Sequence, residues 1–96
     1  MMVLITYDVS TETASGKKRL QKVAKQCQNY GQRVQNSVFE CLLDPARYKQ
    51  LQAILESIID KEKDSIRYYH LGNDWHKRIE HIGAKASLDL EGTLIA

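Results

Sequence analysis

Proline, phenylalanine and tryptophan each occur once in the 96 residues, as Pro45, Phe39 and Trp75. A lone proline leaves no proline-rich linker to divide the chain, and one domain is the natural reading at this length. A chain this short buries only about 60–65% of its unfolded surface, so an interface between copies would add to a modest core. Cysteine is scarce: Cys27 and Cys41 form neither a C-x-x-C pair nor a disulfide framework, which fits a reducing cytoplasm. No segment approaches the ~20 apolar residues that cross a bilayer, so no membrane partner is expected. The first residues carry no basic run and Asp8 interrupts their apolar stretch, so no secretory signal is expected.

Other absences remove whole classes of chemistry. His70, His76 and His81 lack H-x-x-x-H spacing, the common zinc pattern. There is no Walker loop and no dinucleotide glycine fingerprint, hence no nucleotide cofactor. No histidine stands near Ser37 in sequence, which argues against acyl transfer. The aromatic motif of RNA-recognition domains is missing as well. One absence points toward a partner instead. No acidic residue occurs between Glu12 and Glu40, while Lys17, Lys18, Arg19, Lys22, Lys25 and Arg33 all do. The net charge is only +2, so the basic residues are concentrated rather than abundant. Such a surface suits a polyanion. A solvated helix face accounts for the same run equally well.

What is present begins with Val3-Leu4-Ile5-Thr6-Tyr7-Asp8-Val9, β-branched, aromatic and apolar as in a buried strand. Asp8 sits at its end, where ligands of α/β sheets gather. A bare carboxylate there can hold a divalent cation if a second acid or a phosphate completes the shell. It can equally cap the following loop through Ser10 or Thr11. Leu20, Val23, Ala24 and Cys27 follow helical spacing, with Tyr30 a turn beyond and Gly31 as a stop. Residues Arg33 to Leu43 read as extended, with a bulge or reversal near Asn36-Ser37 or Glu40. Asp44-Pro45 opens a second helix striped by Tyr48, Leu51, Ile54, Leu55 and Ile58. Ser65 to Leu71 alternates as a strand ending at Gly72, and residues 85–96 are expected to form an edge strand or docking tail. The order is β-α-β(β)-α-β. It predicts an α+β, ferredoxin-like βαββαβ domain with both helices on one face of an antiparallel sheet.

Two passages go beyond pattern. Tyr7-Asp8-Val9, and Tyr30-Gly31-Gln32-Arg33-Val34-Gln35-Asn36-Ser37-Val38-Phe39-Glu40 after the first helix, together resemble the CRISPR-associated protein two family of spacer adaptation. Asp64 to Gly72 fits that family's later strand, so the resemblance spans most of the chain. The Lys18-Arg19-Leu20 helix and Glu80-His81-Ile82-Gly83-Ala84-Lys85 are similar to the subgroup that accompanies type I-C systems.

The resemblance implies a twofold homodimer in which Asp8 of each copy meets across the axis with Mg²⁺ or Mn²⁺ between them. It implies metal-dependent cleavage of duplex DNA or single-stranded RNA, and a bridging role between CRISPR integrase dimers on duplex DNA. Tyr7 would support the site, and Ser37 would hydrogen-bond a phosphate or a metal-bound water. Arg33 and Arg19 have the forked geometry that grips phosphate oxygens, and Lys17, Lys18, Lys22 and Lys25 would add sequence-blind affinity. Phe39 reads as a packing residue of the sheet or dimer. Two further readings stand beside this one. In the first, the chain is a non-catalytic adaptor whose segment from Ser87 to Ala96 docks on the integrase. In the second, it is a ferredoxin-like sensor of small molecules.

Overall fold

A computed structural model of the chain describes residues 1–84. The expected edge strand or docking tail, 85–96, lies outside the described residues. The elements are β1 (Met2–Asp8), α1 (Ala14–Tyr30), β2 (Gln32–Gln35), β3 (Val38–Leu42), α2 (Pro45–Ile58) and β4 (Ser65–Gly72), followed by a 3-10 turn at Trp75–Lys77. The sheet runs β2-β3-β1-β4 with every neighbouring pair antiparallel. This is the ferredoxin-like plan predicted above. Among the described residues no helix is long and apolar enough to cross a membrane.

Strand alternation divides β1 between two environments. Val3, Ile5, Tyr7 and Val9 point into a core completed by Val23 and Cys27 of α1, Phe39 and Cys41 of β3, and Leu51 and Leu55 of α2. Met2, Leu4, Thr6 and Asp8 point to the opposite face. There Leu4 and Thr6 stay half-buried, beside Val38, Glu40 and Leu42 of β3. Tyr69, paired with Leu4 across β4, is 42% exposed. One sheet face is thus covered by helices, while the other buries Met2 and is open and partly apolar from Leu4 to Asp8.

The helix starts follow their capping residues. Thr13 Oγ1 accepts from the Gly16 N–H at 3.1 Å, and Asp44 Oδ1 accepts from the Arg47 N–H at 2.7 Å with Pro45 in the first turn. Gly31 ends α1 as predicted, but with φ −162°, which any residue adopts. Glycine is required there by proximity, since a Cβ would lie 2.4 Å from Cys41 Sγ.

Of the two reversal points foreseen between Arg33 and Leu43, the chain uses Asn36-Ser37. No non-glycine residue among those described has positive φ, so this is not one of the primed turns that match strand twist. A register shift between Arg33 and Gln35 takes up the difference.

Candidate functional site

Asp8 closes β1 opposite Ser65, the first residue of β4. Its side chain is exposed, and it accepts no hydrogen bond and meets no cation among the described residues. The turn at Asn36-Ser37 lies at the same end of the sheet, because Thr6 pairs with Val38 and the Tyr7 N–H donates to the Ser37 carbonyl at 3.1 Å. A carboxylate without an internal partner, on a rigid strand end and between two loops, is available to a ligand.

Tyr7, next in sequence, belongs to the other face. It is 6% exposed, its ring stacks on Phe39 with centroids 6.1 Å apart, and its hydroxyl donates to the Asn36 carbonyl at 3.2 Å. Burial pushes its pKa up, and the neighbouring Arg33 partly opposes that shift. The Arg33 guanidinium lies 5.1 Å from the centre of the Phe39 ring while the residue itself remains exposed. Tyr7, Arg33, Ser37 and Phe39 therefore gather under the hairpin. Phe39, fully buried, is a sheet-packing residue in the single chain.

Arg19 is turned elsewhere. Its Nε donates to Asp64 Oδ2 at 2.8 Å and its Nη2 to Asp64 Oδ1 at 3.3 Å. Lys17 and Lys18 are exposed near the start of α1. Lys22 and Lys25 border an open groove whose floor includes Ile54 and Ile58 of α2. The basic residues are thus spread along α1 rather than focused on Asp8.

Asp64 was missed by sequence reasoning. It is the one buried charged residue among those described, and its side chain is 0% exposed. Besides Arg19 it accepts from the Ser10 N–H at 3.0 Å and the Asp60 N–H at 2.9 Å. The Arg19 guanidinium, ahead of the burial that opposes it, holds the carboxyl at about 2. In the sequence it is one of three acids in a charged turn, Asp60, Glu62 and Asp64, and nothing local marks it out.

The donor chemistry of Asp8 fits a hard cation such as Mg²⁺ or Mn²⁺, which takes oxygen ligands and keeps several waters. The number of donors in one chain does not suffice. No three His, Cys, Asp or Glu side chains gather among the described residues. The open face offers a way to double the set, because Asp8 shares it with Leu4 and Thr6.

Comparison with known proteins agrees with this fold. The family model described as CRISPR associated protein Cas2 matches residues 1–79. The CRISPR-associated endonuclease Cas2 of Halalkalibacterium halodurans is 62% identical over 95 residues, covering 99% of each chain. The protein named CRISPR-associated endoribonuclease Cas2 3 from Rhodospirillum rubrum is 58% identical over 94 residues, covering 98% of this chain and 99% of that one. The crystal structure of Streptococcus pyogenes Cas2 at pH 6.5 superposes with a TM-score of 0.75 at 58% identity, over 86% of this chain and 100% of that one. With the fold and near-complete coverage in accord, the chain belongs to the CRISPR associated protein Cas2 family.

Proposed function

We propose that two copies of this chain pair through the open sheet face and hold Mg²⁺ or Mn²⁺ between their Asp8 carboxylates. There they hydrolyse phosphodiester bonds of duplex DNA or single-stranded RNA in the cytoplasm, during CRISPR spacer adaptation. The observation that carries this reading is the exposed, unpartnered Asp8 carboxylate on the same face as Leu4. Leu4, Val38, Leu42 and Tyr69 would gain cover in a homodimer. A twofold axis near the end of β1 would bring two carboxylates together. Relatives bearing the names endonuclease and endoribonuclease support the reaction class.

A bound cation would lower the pKa of a water and polarise the scissile phosphate. The chain's own part is to present Asp8 and to hold the polyanion. Lys17, Lys18 and Arg33 are exposed for contact with phosphate oxygens. The test compares wild type with Asp8→Asn on both substrates, in Mn²⁺ and in chelator. The expected result is cleavage by wild type alone and only with metal. Equal cleavage by Asp8→Asn would remove the proposed metal role.

A second reading is favoured by the acid-free α1. The dimer then acts as a scaffold that lays duplex DNA along its lysines and bridges copies of the CRISPR integrase. Salt-sensitive duplex binding without turnover in Mg²⁺ or Mn²⁺ would select this reading over the first.

A further inference from the structure

We propose that Asp64 is the positioning residue for Asp8. With Arg19, it clamps the segment leaving β1, so that the Asp8 carboxylate is presented from a fixed strand end. This rests on the role given to Asp8 above, and it concerns groups that the sequence places far apart.

The clamp joins three segments. Asp64 accepts from Ser10 in the loop after β1, from Arg19 in α1, and from Asp60 in the loop before β4. The β1–β4 ladder ends at the Asp8–Ser65 pair. Ser10 and Asp64 lie just beyond that pair, so their hydrogen bond closes the ladder where its strands would otherwise part. Ser10 is also held from its other side. A Cβ added to Gly16 would come within 2.0 Å of the Ser10 carbonyl oxygen, so α1 packs directly on this loop. Strand ends without such support fray, and a fraying end cannot hold a carboxylate in place for a ligand.

The pair is more than a stabilising interaction. A buried ion pair contributes little net stability against an apolar replacement, and its attested use is to specify one arrangement. The arrangement specified here is the exit path of β1. It also gives Arg19 a different task from that of the lysines. Its Nε and Nη2 are committed to Asp64, so replacing Arg19 acts on Asp8 and not on the grip of the polyanion.

The experiment uses the full chain with Asp64→Asn and Arg19→Lys, and Asp44→Ala as a control. The control removes the α2 cap and lowers thermal stability away from Asp8. Two properties are read: amide hydrogen exchange at residues 9–11, and affinity for Mn²⁺. Both clamp variants should speed exchange at residues 9–11 several-fold while Val3 to Ile5 stay protected. Both should weaken Mn²⁺ binding by about tenfold or more, as loss of outer-shell support does. The salt dependence of duplex binding by Arg19→Lys should match wild type. Arg19→Lys keeps the charge and the fold if Asp64→Asn does not fold. The proposal is overturned if the clamp variants lose thermal stability like Asp44→Ala yet leave exchange at residues 9–11 at its wild-type rate. Should wild type and Asp8→Ala bind Mn²⁺ equally, the metal reading fails, and the exchange rates alone decide the clamp.

Discussion

Gly31 and Cys41 touch where α1 gives way to β2: a Cβ on Gly31 would lie 2.4 Å from Cys41 Sγ and 2.4 Å from the Glu40 carbonyl oxygen. Because the obstacles are a buried thiol and backbone, neither yields easily. Gly31→Ala should cost about 2–3 kcal/mol in urea unfolding. Asparagine should do no better, since φ at Gly31 is extended. Gly72→Ala makes the contrast. Its φ is 76° with open space around it, so backbone strain alone should cost about 1 kcal/mol.

Asp64 gives a pH signature of known sign. Its carboxyl titrates at about 2 in the fold against 3.8 in the free side chain. The contribution to stability is therefore complete above about pH 4 and is lost as pH falls toward about 2, amounting to roughly 2 kcal/mol. Asp64→Asn should be less stable than wild type at neutral pH. Its stability should fall less steeply across that acid window, as followed by circular dichroism.

Tyr7 tests the division of β1 into two faces. Tyr7→Phe removes the hydroxyl donated to Asn36 and keeps the ring on Phe39. It should cost about 1 kcal/mol in thermal unfolding. Mn²⁺ affinity should stay at the wild-type value, because Asp8 projects from the other side of the strand. A loss of metal affinity comparable to that of Asp8→Asn would contradict this separation.

The lysines of α1 are tested by salt. Replacing Lys17 and Lys18 with glutamine should reduce the slope of log affinity against log salt. The reduction should be about 0.9 for each duplex phosphate that the protein ceases to neutralise. Fluorescence anisotropy at several salt concentrations measures this directly.

The thiols should be inert. Burial pushes Cys27 and Cys41 up to about 12, so almost no thiolate exists near neutrality. Iodoacetamide should label neither in the folded protein and both in urea. Rapid labelling of the native chain would show that the packing of α1 on β3 opens.

Several elements were legible from the chain itself. Dense β-branched residues marked β1, Asp44-Pro45 marked the start of α2, and alternation marked β4. The reversal inside residues 33–43 was not resolved beforehand, because Asn36-Ser37 carries neither glycine nor proline and uses no positive φ. Gly31 was correctly placed as the end of α1, but its reason lies in β3, ten residues on. Asp8 was visible as a lone acid on a strand end, and alternation puts it on the face of Leu4, whereas the openness of that face required the placement of both helices on the other. Asp64 was hidden most completely. Its partners Ser10 and Arg19 are 54 and 45 residues away, and only the fold brings them to it.

The alternation of Tyr7 and Asp8 also guards the accuracy of folding. A one-residue slip of β1 against its neighbours would exchange the two, driving a carboxylate into the hydrocarbon interior and a phenol into water. Such a misaligned chain loses both apolar cover and the solvation of a charge, so it has no stable compact state to settle into. The acid that equips the strand end for ligands thereby also penalises wrong alignments, and a neutral residue at position 8 would relax that proofreading.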